Sequence, residues 1–585
     1  MRKTVPTWEL LLVAIPMALT LITFAQVARF DFILYDDPAY LYENPKVAAG
    51  LTLEGLQWAL TETGETNLWH PLTWISLMFD VEVFGLEQPG LHHLANLGFH
   101  LVAVLTLYLI LLHYFESPWI ALILGSLWAI HPHRAENIAW LSQRKDVLCM
   151  SFMLASWLAW IKSDRSPRSF LTWLSLAFFL LSLLSKPSSV GFPLVLLASD
   201  LLLPKGQRRW SGILVLFFLS SVIAAVLALH FQGQGDLSGL NQANPLGARL
   251  LRLPFNFWWY VESSLLPQGI LWVYAPDDAW SLYLRPLLGT VALCGLLFWF
   301  RRHRTLLLGA AITLAFWLPV SGLASVSFYQ VAERYSYFIQ LGFLMMLGSI
   351  AKAVMSSPSA QRLARPLAVA GFCLMFVSTA FAYQRTSHWQ SSAVLFQHEA
   401  EHNPRSLLAQ IFLGILEKQQ GHWKQAIPHF QRALQLDSES GLAATHLGDC
   451  YRELEQLDLA ETSYRKATTA RILDSPAPFQ SLATLLHEQG DLLETERILR
   501  EGLQRFPHEP IVHLDLGSLM LRDKKAFQEA EFHYRQVIRL APQILEAKLG
   551  LALSLRGQGD EKEARRLINE LRNEAPDRFG RLPLP

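Results

Sequence analysis

From Trp8 to Tyr383 the chain alternates long apolar runs with short polar breaks, and from about His388 onward it turns charged, with apolar positions at helical spacing. The first pattern predicts a polytopic membrane bundle and the second a soluble helical domain, so the expected class is all-α. Eleven spans are predicted near 8–28, 91–114, 118–131, 146–162, 169–185, 188–203, 209–231, 283–300, 305–324, 335–354 and 366–384. Several are short, but neighbours in a bundle shelter a shorter helix. Ser117-Pro118 reads as a helix start, a capping hydroxyl followed by proline at the first helical position. The first run is longer than a signal-peptide core and lacks a small-x-small cleavage site, which predicts an uncleaved anchor. Residues 250–266, with Trp258, Trp259 and Tyr260 together, are read as an interfacial or re-entrant helix, because clustered aromatics favour the bilayer boundary.

The soluble part repeats with a period near 34. Leu413-Gly414, Leu447-Gly448, Leu516-Gly517 and Leu549-Gly550 recur in first helices; Ala426, Ala460, Ala530 and Ala564 recur in second helices. Phe430, Tyr464 and Tyr534 follow the alanines by four residues, and Pro507, Pro542 and Pro576 close units. Small residues that let helices approach and an aromatic that fills the gap are the signature of the tetratricopeptide repeat. Five units over 406–585 are expected, the third being the most degenerate, and such a solenoid offers a concave groove for peptide or protein segments. The expected organisation is a membrane domain over 1–385 with an exported first loop at 29–90, a linker over 386–405, and the repeats.

Of 585 residues, 52% are hydrophobic, while 49 basic and 49 acidic residues cancel. A balanced charge argues against a nucleic-acid partner, which selects a basic surface. Cys149, Cys294, Cys373 and Cys450 are scattered without CxxC or zinc spacing, so neither a disulfide nor cysteine chemistry is expected. Bases fall at Arg2 and Lys3, at Lys162, Arg165 and Arg168, at Lys205, Arg208 and Arg209, at Arg301, Arg302 and Arg304, and at Arg362 and Arg365. All lie on one side of the predicted bundle, the cytoplasmic side by the positive-inside rule. The first loop, rich in acids such as Asp31, Asp36, Asp37, Glu43 and Glu65, then lies outside, and an odd span count exports the repeats. The expected placement is an inner-membrane protein with a cytoplasmic N-terminus and periplasmic repeats.

Polar clusters punctuate the exported side. Tyr35-Asp36-Asp37 sets two carboxylates beyond the first span, as a base, a metal ligand or a simple Asp-Pro turn. The same loop carries His70 in Trp-His-Pro-Leu-Thr-Trp, and His92-His93 opens the second span. An imidazole there serves as a hydrogen-bonded packing group or as a pocket ligand. His131-Pro132-His133-Arg134-Ala135-Glu136 follows, with Trp140, Arg144, Lys145 and Asp146 after it. His133 and Glu136 are three apart on a helix, suiting a metal or an acid–base pair. Asp36, Asp37, His133 and Glu136 together make a possible divalent-metal set. Arg144 and Lys145 sit outside against the positive-inside rule, which points to an anionic phosphate or to a salt bridge with Asp146. Lys186, and Arg334 within Glu333-Arg334-Tyr335-Ser336-Tyr337, are further pocket candidates, or are paired structurally with an acid such as Glu333.

The order Tyr-Asp-Asp, Trp-His-Pro-Leu-Thr-Trp, His-His-Leu-x-Asn, His-Pro-x-Arg-x-Glu, Arg-Lys-Asp and Glu-Arg-Tyr-Ser-Tyr, followed by the repeats, resembles the transmembrane and tetratricopeptide repeat-containing O-mannosyltransferases, enzymes of the GT-C glycosyltransferase class. The resemblance implies transfer of mannose or another hexose from a polyprenyl-phosphate carrier to Ser/Thr hydroxyls of exported polypeptides. It implies Asp36 or Asp37 as the acceptor-activating acid. Glu333 stands where the family usually has aspartate. A hydroxyl is a poor nucleophile that a positioned carboxylate activates, and the leaving lipid phosphate needs cations, for which Arg144, Lys186 and Arg334 are expected. His70, His92, His93, His131, His133, Glu136, Asp146, Glu333 and Tyr335 complete the expected sugar, acceptor or metal pocket. Two other readings are a GT-C transferase acting on a glycan or lipid acceptor and a non-catalytic membrane anchor that displays a repeat scaffold.

Overall fold

The computed structural model describes residues 7–63, 68–163, 165–202, 212–232, 246–267, 283–299, 303–323, 331–357, 361–470, 473 and 475–579. Arg2, Lys3, Glu65, Lys205, Arg208, Arg209, Arg301 and Arg302, and the ends of four expected spans at 203, 209–211, 300 and 324, lie outside these residues. Every regular element among the described residues is a helix. The chain divides into two compact units, Met1–Pro404 and Arg405–Pro585.

In the first unit, Trp8–Arg29, Pro89–Phe115, Ile213–Phe231, Glu333–Ser356 and Ala364–Ser387 are long and apolar enough to cross a membrane. Pro118–Ala129, Phe170–Ser185, Pro187–Leu201, Arg285–Trp299 and Arg304–Val320 are apolar but only 10–17 residues long. At about 1.5 Å per residue, such a helix falls short of a hydrocarbon core of about 30 Å. The expected span at 146–162 lies in Arg144–Lys162, whose first turn carries Arg144, Lys145 and Asp146. Each expected run is therefore helical, and five have spanning length. The helix Leu246–Leu265, expected as interfacial or re-entrant, buries Phe255, Tyr260 and Ser263 while exposing Leu250, Leu251 and Leu265.

The first loop is folded. Asn44 and Thr52 cap the short helices Pro45–Ala48 and Leu53–Thr61 through their side chains. With Asp37–Tyr40 and Pro71–Phe84 these enclose a core of Tyr40, Leu41, Trp58, Trp74, Leu77 and Met78, and Leu141 from the later polar turn joins it. At Gly90 a Cβ would stand 1.9 Å from the Ala28 carbonyl oxygen, so only glycine lets the second long helix start against the end of the first. Residues 386–405, expected as a linker, form the helix Ser392–His402, capped by Ser391, with Leu395 and Phe396 buried. Its Ser392 Oγ accepts a hydrogen bond from the Leu34 amide at 2.7 Å, which ties it to the first loop.

Among the described residues the second unit holds five helix pairs and a short final helix, Pro576–Phe579: Leu407–Gln419 with Trp423–Leu436, Gly441–Glu453 with Leu457–Thr468, Ala477–Glu488 with Leu492–Arg505, Pro510–Arg522 with Phe527–Leu540, and Leu545–Gly557 with Glu561–Glu574. The periodic residues do what their spacing predicts. A Cβ at Gly448 would lie 2.5 Å from the Tyr464 ring, so the missing side chain is the space that the aromatic fills.

Candidate functional site

Asp36 and Asp37 occupy different environments. Asp37 is fully buried; its carboxylate accepts the Ile33 amide at 2.8 Å and the Ser142 amide at 2.9 Å. Burial outweighs these hydrogen bonds and pushes its pKa up to about 7. It ties the first loop to the turn before Arg144–Lys162. Asp36 is 34% exposed, 3.7 Å from Lys145 Nζ and 3.5 Å from the Ser142 hydroxyl that donates to it.

Arg144 and Lys145 diverge for a geometric reason, since successive helical residues point about 100° apart. Lys145 is nearly buried, donates to the Tyr40 hydroxyl at 2.9 Å and sits beside Asp36. Burial lowers its pKa, against which Asp36 and Asp146 act. Arg144 is fully buried. It donates to Asp80 at 2.5 Å, to the Ser76 hydroxyl and the His92 carbonyl at 2.8 Å each, and to Asn96. Burial pushes the Asp80 pKa up, but Arg144 and His92 outweigh it and hold the carboxylate below its usual range. Arg144 is expected among the phosphate-binding cations; with no exposed surface and four hydrogen bonds inside the protein, it instead fastens the first loop to the helix Pro89–Phe115.

Three further ion pairs involve expected site residues. Lys186 donates to Asp146 at 2.8 Å. Arg334 holds Glu136 twice, through its guanidinium at 2.6 Å and its main-chain amide at 2.9 Å. Arg385 pairs with Glu333, so the acid adjacent to Arg334 serves a different arginine. The Tyr335 ring lies under both Lys186 and Arg334, at 5.7 and 5.1 Å, and Arg334 also lies 5.7 Å from the Trp140 ring. The field at Lys145 contains Asp36, Asp146, Arg334 and Tyr335, and that at Tyr40 contains Asp36, Lys186, Asp146 and Arg334. One electrostatic neighbourhood therefore gathers residues from the first loop, the 141–146 turn, the Ser185–Pro187 break and the start of Ser336–Ser356.

The histidines are mostly packing groups. His92 donates to the Gly85 carbonyl at 2.7 Å, His93 to the Asp31 carbonyl at 3.2 Å, and His131 to the Ser264 carbonyl at 3.1 Å. His133 meets the Ser336 hydroxyl at 3.0 Å, not Glu136, and stacks parallel to Trp259. His70 is the exception. It is buried beside the cations, and burial, followed by Lys145 and Lys186, drives its pKa well down, leaving a neutral imidazole. Among the described residues no group of three or more His, Cys, Asp or Glu is arranged to hold a metal ion, so Asp36, Asp37, His133 and Glu136 do not converge as a set. Tyr40 and Ser142 were not singled out from sequence. Tyr40, three residues after Asp37 on one short helix, carried a usable signal; Ser142, joined only by the fold, carried none.

Tetratricopeptide-repeat family models match residues 413–475 and 521–582. The chain is 22% identical over 567 residues to Protein O-mannosyl-transferase TMTC3 of Homo sapiens, covering 88% of this chain and 59% of that protein. It is 23% identical over 586 residues to Protein O-mannosyl-transferase TMTC1 of Mus musculus, covering 91% of this chain and 58% of that protein. With Protein O-mannosyl-transferase Tmtc1 of Drosophila melanogaster it shares 26% over 298 residues, 48% of this chain and 32% of the relative. The chain thus spans 59% of the length of the human relative. Among solved structures it is similar to YrrB, described as a TPR protein with an unusual peptide-binding site. That match has a TM-score of 0.27 and 18% identity, covering 31% of this chain and 93% of that one. The resemblance to the transmembrane and tetratricopeptide repeat-containing O-mannosyltransferases, expected from the order of short motifs, holds over most of the chain.

Proposed function

We propose that the chain is a membrane glycosyltransferase that moves a hexose, mannose by analogy with its relatives' names, from a polyprenyl-phosphate carrier to Ser/Thr hydroxyls of polypeptides, with Asp36 as general base. One observation carries this reading: Asp36 is a partly exposed carboxylate 3.7 Å from Lys145, and Asp36, Lys186 and Arg334, from separate parts of the sequence, all act on the neighbouring Tyr40.

Each group has a role that follows from its surroundings. Asp36 takes the proton of the acceptor hydroxyl as the new C–O bond forms at the sugar's anomeric carbon. The bond from that carbon to the phosphate oxygen breaks, and its electron pair leaves on the phosphate. Lys186 and Arg334 face that growing charge, each already oriented by a carboxylate, Asp146 or Glu136, so that little reorganisation is needed during reaction. Lys145, 3.7 Å away, holds Asp36 in place. Asp37 and Arg144 position the loop without touching reactants. His70, held neutral, adds no competing charge.

The test is reconstitution in liposomes with polyprenyl-phosphate mannose and a Ser/Thr peptide. Asp36→Asn should lower transfer by about 10² to 10⁴-fold, the usual worth of a general base, with carrier binding retained. Asp37→Asn should act through stability, losing far less turnover per folded molecule. Wild-type transfer by Asp36→Asn would overturn the assignment.

A further inference from the structure

In the repeat unit, first helices of successive pairs pack side by side, as Gly441–Glu453 does with Ala477–Glu488 and Pro510–Arg522 with Leu545–Gly557. Between the third and fourth pairs this surface opens into a cavity of about 180 Å³. Gln480, Thr484 and His487 line it from one helix, and Asp515, Ser518 and Arg522 from the next.

The charges in this cavity are not matched to one another. Asp515 accepts a hydrogen bond from the Gln480 amide at 2.9 Å, and among the described residues no cation pairs with it. Burial raises its pKa, the response of a carboxylate that lacks a counter-charge. Asp523, by contrast, has His487 at 3.1 Å. Arg522 has no carboxylate within ion-pair distance among the described residues, although it lines the same cavity as Asp515. Asp515 and Arg522 are seven positions apart on one helix, about 10 Å along its axis at about 1.5 Å per residue. A ligand that satisfies both presents a cation at one end and an acceptor about 10 Å away, close to three residues of extended chain at about 3.3 Å each.

We infer that this cavity receives a lysine or arginine side chain of an extended polypeptide, whose cation meets Asp515 while Arg522 takes a main-chain carbonyl about three residues along. The inference rests on the proposed transfer to polypeptides: it takes that acceptor as the segment the repeats hold, and adds which side chain they select. Thr484 and Ser518 supply hydroxyls along the stem of the bound side chain. A cation at a half-buried carboxylate gains a charge-assisted hydrogen bond and supplies the missing counter-charge.

The experiment uses the full chain in detergent micelles with three fluorescent, extended Ser/Thr peptides that differ at one central residue: lysine, its uncharged isostere norleucine, or glutamate. The lysine peptide should bind roughly 10-fold more tightly than the norleucine peptide, the worth of one charged hydrogen bond. Asp515→Asn should erase that preference, and Asp515→Lys should turn it toward glutamate. Thermal unfolding of Asp515→Asn should be unchanged or higher, because the variant removes a carboxylate with no cation partner. Equal binding of lysine and norleucine peptides by the wild type, or a preference that survives in Asp515→Asn, overturns the inference. Sugar transfer to the same three peptides separates the two readings. Transfer with no lysine preference in binding removes this inference alone; a lysine preference without transfer leaves it standing and removes the transferase reading.

Discussion

Two desolvated aspartates, one in each unit, behave in opposite ways. Asp37 is fully enclosed and has only backbone amides as close donors, so burial prevails and its carboxyl titrates near neutrality. Asp449 in the repeats is also desolvated, but His446, Lys418 and Tyr464 all reach it, and together they hold it below the usual carboxylate range. Burial alone does not set the charge state of a carboxylate; the partners that accompany it into the interior do. The same contrast holds for ion pairs. The Arg144–Asp80 pair is almost solvent-free, whereas Arg497 meets Glu494 and Glu501 on a helix surface with more than half of its own side chain in water.

The largest expected effect comes from cutting the buried pair. Arg144→Ala leaves Asp80 uncompensated in the interior and should cost about 3–5 kcal/mol, read as a drop in the unfolding midpoint of the membrane unit in detergent. A loss below about 1 kcal/mol would mean that the pair is wetter than its geometry indicates. Next is pH. A carboxyl whose folded pKa lies above its unfolded value binds more protons when folded, so the Asp37 contribution weakens as pH rises from about 4 to about 7. Asp449 has the reverse sign, stabilising above about 4 and losing that contribution as pH falls. Unfolding followed by tryptophan fluorescence from about pH 5 to about pH 8 should show a falling midpoint for the membrane unit that flattens in Asp37→Asn. An unchanged slope in that variant would assign the dependence elsewhere. The smallest effect is Arg497→Ala, about 0.2–1 kcal/mol and weakened further by salt; a loss matching that of Arg144→Ala would erase the distinction between the units.

Legibility followed the range of the interactions. The repeats were readable because Leu447-Gly448 and Tyr464 sit at fixed spacing within one helix pair, and local periodicity records their packing. The helical runs of the membrane half were readable from composition, but their spanning length was not: five are only 10–17 residues long, and the helix Arg144–Lys162 opens with a charged turn that belongs to a polar site. At the candidate site the right neighbourhood was visible while individual roles were not. Arg144 and Lys145 looked interchangeable as adjacent bases, yet one helical step aims the first at Asp80 and the second at Asp36.

By itself, then, the sequence determined the helical class, the division into an apolar half and a repeat half, and the set of acids and bases from which a site could be built. All of these are encoded in periodicity, composition and short motifs. Only the tertiary structure decided that Asp36 lies partly exposed beside Lys145 while Asp37 is fully buried, that Glu136 rather than Glu333 holds Arg334, and that Arg144 is a fastener. Those choices depend on which distant segments share a dielectric environment, and residues more than a hundred positions apart carry no local mark of that meeting.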